Sequence, residues 1–158
     1  MNVKEIVRKR GSARTNLVQI LHDLQQASGD NSLHREDLEE LAKVMGLTAA
    51  DIRGTASFYS MFSFTPRGRH LIRLCESPPC YIMGEENILA AIRAKLGIDF
   101  GETTPDRRFT LEATSCLGAC GVAPVMMVDE EIYGNLTETR VAEILDRIAR
   151  ADQTAAAD

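Results

Sequence analysis

The sequence lacks the features that mark several common classes of protein. It contains no tryptophan, only 5% aromatic residues, and neither a Gly-x-Gly-x-x-Gly nor a P-loop motif, so we expect no nucleotide site on this chain. Its net charge of −5 argues against a nucleic-acid-binding protein, which needs a basic face. No stretch approaches the roughly 18 apolar residues of a membrane span, and the first residues lack the apolar segment of a signal peptide. We therefore expect a soluble, cytoplasmic protein.

Charge and composition divide the chain into four segments. Residues 1–14 are strongly basic, and we expect a flexible basic arm there. Residues 15–66 have helical patterning, and residues 67–150 alternate between strand and helix patterns. Residues 151–158 have the composition of a disordered tail.

Apolar residues between positions 15 and 66 recur at the spacing of one helix face. Leu17, Ile20, Leu21 and Leu24 have the i, i+3, i+4, i+7 spacing. A second helix is predicted from about Leu33 to Met45, and a third after Thr48, with Gly54 as a potential break. This part of the chain therefore predicts a helical bundle.

From His70 onward the pattern becomes β-α-β-β-β-α. Strands are predicted over 70–74, 109–113, 125–128 and 131–136, with helices over about 85–96 and from Thr137 onward. The strand–helix–strand step favours a parallel pair, and the last two strands read as a hairpin. The fold class is therefore α/β (α+β), with a four-stranded mixed sheet flanked by helices.

All four cysteines lie in this second half, as two pairs. Cys75 and Cys80 follow the first predicted strand, and Cys116 and Cys120 follow the second. Loops after parallel strands emerge at one end of a sheet, so the pairs can meet. A 2Fe–2S cluster needs four ligands, two per iron, and prefers thiolates. We expect one such cluster, with Cys75 and Cys80 on one iron and Cys116 and Cys120 on the other.

Three other uses of the cysteines remain open on spacing alone. Structural zinc also takes four cysteines, usually in tighter pairs. Two disulfides fit poorly with an intracellular chain that has enough apolar residues for a core. The third alternative is that some cysteines are ordinary buried residues, but this would not explain why they occur as two pairs after two strands. A thioredoxin-type redox site would need Cys-x-x-Cys, which is missing.

Several motifs together resemble one known family. Cys75-x4-Cys80, the run from Cys116 to Pro124 (CLGACGVAP), and Tyr133 to Thr137 (YGNLT) are similar to the thioredoxin-like 2Fe–2S subunit of respiratory complex I, the NuoE family. Residues 55–62 (TASFYSMF) and Gly84 resemble that family as well. The resemblance extends over about residues 15–150. The Pro78–Pro79 pair departs from the family pattern, in which small or hydroxyl residues often precede the second cysteine, but it leaves the four cysteines in place.

The resemblance implies a helical bundle followed by a thioredoxin-like domain, with all four cysteines as cluster ligands. It implies an electron-transfer subunit, without a catalytic site of its own, in an NAD(P)(H)-linked complex: NADH dehydrogenase, an NAD(P)-reducing or electron-bifurcating hydrogenase, or formate dehydrogenase. The partner would be a flavin- and NAD(P)-binding subunit docked by the bundle, with FMN and NAD(P) on that partner. Further iron–sulfur, hydrogenase or dehydrogenase subunits belong to such complexes. In complex I the chain would lie peripherally on the inner face of the membrane. The alternatives are a free-standing thioredoxin-like ferredoxin and a zinc-stabilised interaction module.

Overall fold

Helices make up the first of two units into which the chain divides. The computed structural model describes residues 2–155, and the units are Met1–Arg69 and His70–Asp158. The division falls three residues after the boundary expected at 66/67. The first unit contains four α-helices: α1 (Val3–Arg10), α2 (Leu17–Ala27), α3 (Arg35–Met45) and α4 (Ala49–Phe58).

Helix α1 corrects the expectation of a flexible arm over residues 1–14. Asn2 and Glu5 form a capping box that satisfies the first free amides of the helix. Val3, Ile6 and Val7 are buried, at the i, i+3, i+4 spacing of an inward face. The basic residues at the end of α1 suit the negative end of the helix dipole. They therefore favour the helix rather than disorder.

The remaining helices follow the apolar pattern of the sequence closely. Thr48 and Asp51 form the capping box at the start of α4, and that helix continues through Gly54 without a break. Gly46 ends α3 in the left-handed conformation that glycine adopts readily, with φ +66°. Buried residues from all four helices form one core, which is closed by Phe62 after the last helix.

The second unit is a mixed four-stranded sheet with helices. Its strands are β1 (His70–Cys75), β2 (Phe109–Thr114), β3 (Met126–Val128) and β4 (Glu131–Tyr133), in the spatial order β2-β1-β3-β4. Strands β1 and β2 are parallel, whereas β1–β3 and β3–β4 are antiparallel. The fold class and the four-stranded mixed sheet expected from the sequence are confirmed.

Three helices accompany this sheet: α5 (Pro78–Ile82), α6 (Glu85–Leu96) and α7 (Glu138–Ala155). Apolar residues of α6, α7 and the strands form one core. Helix α7 includes residues 151–155, where the sequence suggested a disordered tail, and residues 156–158 lie outside the described range. Among residues 2–155, no helix combines the length and the apolar character that crossing a membrane requires.

Candidate metal centre

Two parallel strands bring the cysteine loops to one end of the sheet. Cys75 is the last residue of β1 and pairs with Thr114, the last residue of β2. Cys116 follows only two residues later. Because parallel strands have their carboxyl ends at the same edge, both loops begin side by side. The amide of Glu76 donates to the carbonyl of Thr114 at 3.1 Å and continues the pairing past the strand ends.

The first pair is buried and held by a short helix. Cys75 and Cys80 are each 1% exposed. Cys80 lies in α5, which begins at Pro78 and Pro79, where the sequence suggested only a loop. Proline is tolerated in the first turn of a helix, because the amides there have no intrahelical acceptor. The amide of Cys80 donates to the carbonyl of Ser77 at 2.9 Å and so fixes the turn.

The second pair is exposed and lies on a loop of small residues. The sulfurs of Cys116 and Cys120 are 3.3 Å apart. Gly118 has a φ of +79°, which an L-residue adopts only with strain, and its amide lies 3.3 Å from the Cys116 sulfur as a donor. Cys120 begins a single 3-10 turn, Cys120–Val122. Glycine at 118 therefore allows the loop to turn an amide toward a thiol.

Hydrogen bonds connect the two loops at Cys75. Burial acts to raise the pKa of Cys75, but hydrogen bonds from the backbone of Ser77 and Leu117, with those from the Ser77 and Cys80 side chains, outweigh burial and lower the pKa below its ordinary value. Leu117 belongs to the second cysteine loop. Its amide therefore joins that loop to the first cysteine, so the two pairs lie in one site.

Cys80 and Cys120 are also affected by the neighbouring thiols. Burial, followed by the hydrogen bond with Cys75, raises the pKa of Cys80 to about 11, although the backbone of Val125 opposes this rise. The hydrogen bond with Cys116, followed by the charge of Cys116, raises the pKa of Cys120, to which the charge of Cys75 also contributes. Thiolates repel one another in this way when no cation is present. The positive charge of a metal group would offset this repulsion and so favour the ionised thiols that bind it.

The donor set fits a 2Fe–2S cluster. All four cysteines are free thiols, and they form two pairs, as two irons with two protein ligands each require. Among residues 2–155 no three Cys, His, Asp or Glu side chains form a group suited to one shared ion. The oxidised cluster with four thiolates carries two negative charges, and backbone amides from both loops are positioned to offset them.

Gly134 permits a close approach that the sequence alone did not explain. A Cβ at this position would clash with Cγ2 of Val122 and would lie 2.8 Å from the Val122 carbonyl oxygen. The amide of Asn135 donates to that same carbonyl. The segment after β4 is thus packed directly on the turn that begins at Cys120, which gives the YGNLT motif a structural role beside the cysteines.

The chain is similar to proteins of known assemblies. Residues 3–149 match the family model of the thioredoxin-like [2Fe-2S] ferredoxins. A subunit of the NADH-quinone oxidoreductase of Pseudomonas aeruginosa is 43% identical over 106 residues, covering 67% of this chain and 64% of the relative. Its counterpart in Escherichia coli K12 is 46% identical over 110 residues, covering 70% and 66%. The chain thus spans about two thirds of the length of these two relatives.

Two further similarities connect the chain to hydrogenases. The NADP-reducing hydrogenase subunit HndA of Solidesulfovibrio fructosivorans is 36% identical over 129 residues, covering 82% of this chain and 74% of the relative. The crystal structure of an NAD⁺-reducing [NiFe]-hydrogenase in the air-oxidised state superposes with a TM-score of 0.76 at 25% identity, covering 90% of this chain and 24% of that chain. The family model matches almost the whole chain, and the fold brings four free thiols together. The chain therefore belongs to the thioredoxin-like [2Fe-2S] ferredoxin family, whose cofactor is a 2Fe–2S cluster.

Proposed function

We propose that this protein is a 2Fe–2S electron-transfer subunit of an NAD(P)(H)-linked multisubunit oxidoreductase. Cys75, Cys80, Cys116 and Cys120 hold the cluster, with each sequence-adjacent pair on one iron. The cluster passes single electrons to or from a flavin-bearing subunit. The chemistry of NAD(P)(H) and of flavin belongs to that partner, and this chain contributes a one-electron site.

One observation carries the assignment of the ligands. The backbone of Leu117, in the second cysteine loop, hydrogen-bonds to the sulfur of Cys75, in the first loop. A contact of this kind supports the proposal that the two pairs share one site. The 3.3 Å separation of the Cys116 and Cys120 sulfurs supports the pairing on the second iron.

The kind of partner is inferred from the relatives. Two of them are subunits of NADH-quinone oxidoreductases, and a third is a subunit of an NADP-reducing hydrogenase. These enzymes exchange electrons with a nicotinamide cofactor, which transfers two electrons as hydride, whereas a 2Fe–2S cluster accepts one. A flavin between them converts one kind of transfer into the other. A flavin subunit is therefore the partner that this chemistry requires, and its complex would place this chain in the cytoplasm.

We assign the helical bundle, residues 15–66, to docking of that partner and residues 67–150 to holding the cluster. Large apolar side chains are exposed just where α4 ends: Phe58 is 81% exposed and Met61 is 42% exposed. Exposed apolar groups in such proximity favour a protein contact over a solvated surface. Helix α1 packs into the same core and belongs with the bundle.

Anaerobic isolation tests the cluster assignment directly. We expect two irons and two acid-labile sulfides per chain, with a visible spectrum that bleaches on addition of dithionite. Cys75→Ser, Cys80→Ser, Cys116→Ser and Cys120→Ser should each lose or alter this spectrum, whereas Ser115→Ala, an exposed neighbour, should leave it unchanged. A colourless protein with one zinc per chain would contradict the proposal and favour the zinc-stabilised module.

Purification from the native host tests the partner. We expect a flavoprotein to co-purify with the tagged chain, and Phe58→Asp to reduce its yield at unchanged cluster content. Ser57→Asp places a charge at the preceding exposed position and serves as the control for charge alone. A monomeric, cluster-bearing chain without a flavoprotein would contradict the docking assignment and favour a free-standing ferredoxin.

A further inference from the structure

Glu85 is a buried carboxylic acid that the electron-transfer function does not explain. It is the first residue of α6 and is only 5% exposed. Within the described residues, its Oε1 atom is buried without a hydrogen-bond partner. A buried carboxylate with an unpaired oxygen is costly, because the group loses its hydration without a replacement. Its neutral, protonated form avoids much of that cost.

Glu85 follows the first cysteine pair closely in the chain, five residues after Cys80. Helix α5, which contains Cys80, ends at Ile82, and α6 begins three residues later. Gly84 makes the turn between them with a φ of +90°, and its amide donates to the carbonyl of Tyr81 at 3.1 Å. Helices α5 and α6 pack against each other, and α6 also packs on β1, which ends in Cys75.

The charges around Glu85 are mostly negative. Burial raises the pKa of Glu85 above its usual value, the charges of Glu76 and Glu86 raise it further, and the charge of Arg93 opposes this rise. Glu76 directly follows Cys75 in the chain. Of the other elements that pack on α6, α5 contributes the exposed Tyr81, and α7 begins with the exposed Glu138. The charge of Glu76, the residue after Cys75, thus acts on the Glu85 carboxyl.

We propose that Glu85 is a charge-compensating residue, which binds one proton from solvent when the cluster accepts one electron and releases that proton on reoxidation. The electron comes from a one-electron donor such as a flavin semiquinone or dithionite. The negative charge of the added electron is thus balanced by the positive charge of the bound proton, which leaves the Glu85 carboxyl neutral. This inference rests on the proposed cluster site and adds a proton to its electron transfer.

The physical basis is the linkage between two charges in one poorly solvated region. Reduction adds a negative charge to the site, and this charge makes the ionised form of Glu85 less favourable than it was before. Linkage is reciprocal, so protonation of Glu85 must favour reduction by the same free energy. The reduction potential therefore falls as the pH rises through the interval between the carboxyl pKa in the oxidised protein and its higher pKa in the reduced protein.

Redox titrations over a range of pH test this inference on the complete chain. For the native protein we expect a potential that falls with pH, by at most about 59 mV for each tenfold change in proton concentration. The interval should begin above the ordinary pH range of glutamate titration, because the pKa of Glu85 is raised. Glu85→Gln should remove the slope in this interval. Glu86→Gln, at the exposed neighbouring position, should keep the slope but move its interval to lower pH, because the charge that raises the pKa of Glu85 is removed.

Infrared difference spectra of the native protein supply a second readout, which needs no variant. We expect a protonated-carboxyl band to appear on reduction, and to be absent in Glu85→Gln where that variant retains the cluster. A potential independent of pH, an equal slope in Glu85→Gln, or no carboxyl band in the native protein would overturn the inference while leaving the cluster assignment intact. A protein without iron and sulfide would overturn both.

Discussion

Backbone amides donate hydrogen bonds to the cysteine sulfurs from both loops. Cys75 accepts from Ser77 and Leu117, and Cys80 accepts from Val125. Hydrogen bonds to sulfur stabilise the more negative, reduced state of a cluster and raise its reduction potential. The loops therefore set the potential by the number of their amides that reach sulfur.

Pro79 offers a direct test of this account. It lies in the first turn of α5, next to Cys80, and has no amide to donate. Pro79→Ala should raise the reduction potential, because the new N–H adds a donor beside the first pair. A redox titration measures the change, and Pro105→Ala, in the loop before β2, is the control. An unchanged or lower potential would count against the role given to amides at this position.

Gly134 supplies a prediction about packing at the second pair. In Gly134→Ala the new methyl group would meet Val122, including its carbonyl oxygen at 2.8 Å, so the turn that contains Cys120 must move. Overpacking of this kind costs about 1–3 kcal/mol of unfolding free energy. We expect faster cluster loss in air and a lower denaturation midpoint. Gly121→Ala is the matched control, since its Cβ would meet nothing within 4 Å. Equal cluster lifetimes in the two variants would refute the prediction.

At the scale of single residues, the sequence indicated the candidate ligands but not the groups that surround them. The four cysteines stand out by type and spacing, and the LGACG context connects them to a family. The donors at Ser77, Leu117 and Val125 are backbone groups, and their direction depends on the folded path of the loops rather than on residue type. For the same reason, Glu85 reads in the sequence as one of many acidic residues on an exposed helix.

At the scale of elements, the prediction was wrong at residues 1–14, around Pro78 and Pro79, and at residues 151–155, which belong to α7. A basic run at the start suggested an arm, yet the spacing of Val3, Ile6 and Val7 is that of a helix face. The Pro78–Pro79 pair suggested a loop, although proline fits the first turn of a helix. Where apolar periodicity was long and regular, as in α2, α3 and α7, it predicted the helices correctly because tertiary burial selects that same face.

The attachment of α1 to α2 predicts a dependence of stability on pH. Nε and Nη2 of Arg10 donate to the two carboxylate oxygens of Asp23 at 2.7 and 2.8 Å. The hydrogen bond from Arg10 is the main cause that lowers the pKa of Asp23 below 3.8. A carboxyl group whose pKa is lower in the folded than in the unfolded protein stabilises the fold at pH values above its unfolded-state pKa. This stabilisation is lost as the pH falls through the folded-state pKa.

We therefore expect Arg10→Gln to lower the urea midpoint at neutral pH, because it leaves Asp23 charged and largely buried. The gap from the native protein should narrow as pH falls below the ordinary pKa of aspartate and through the lowered pKa of Asp23 in the folded protein, where this carboxylate becomes neutral. Arg35→Gln is the control, since Arg35 and its partner Glu39 lie exposed on one helix, with side-chain exposures of 84% and 47%. A gap that stays constant with pH would exclude this ion pair as its cause.

At the scale of the whole molecule, each unit has its own core. Fourteen buried apolar residues between Val3 and Phe62 form the core of the first unit, and the cores of the second unit draw on residues from Ile72 onward. A segment with a core of its own has the main requirement for independent folding. The four cysteines and their amide donors all belong to the second unit.

This arrangement predicts that holding the cluster and docking the partner are separable. A fragment of residues 70–158 should fold, incorporate two irons and two sulfides, and give the visible spectrum of the full chain, because all proposed ligands and donors lie within it. The same fragment should fail to capture the flavoprotein that the full chain retains, because the bundle is missing. Added in excess, residues 2–69 should compete with the full chain for that flavoprotein. Retention of the flavoprotein by the fragment alone would assign docking to the cluster domain instead of the bundle.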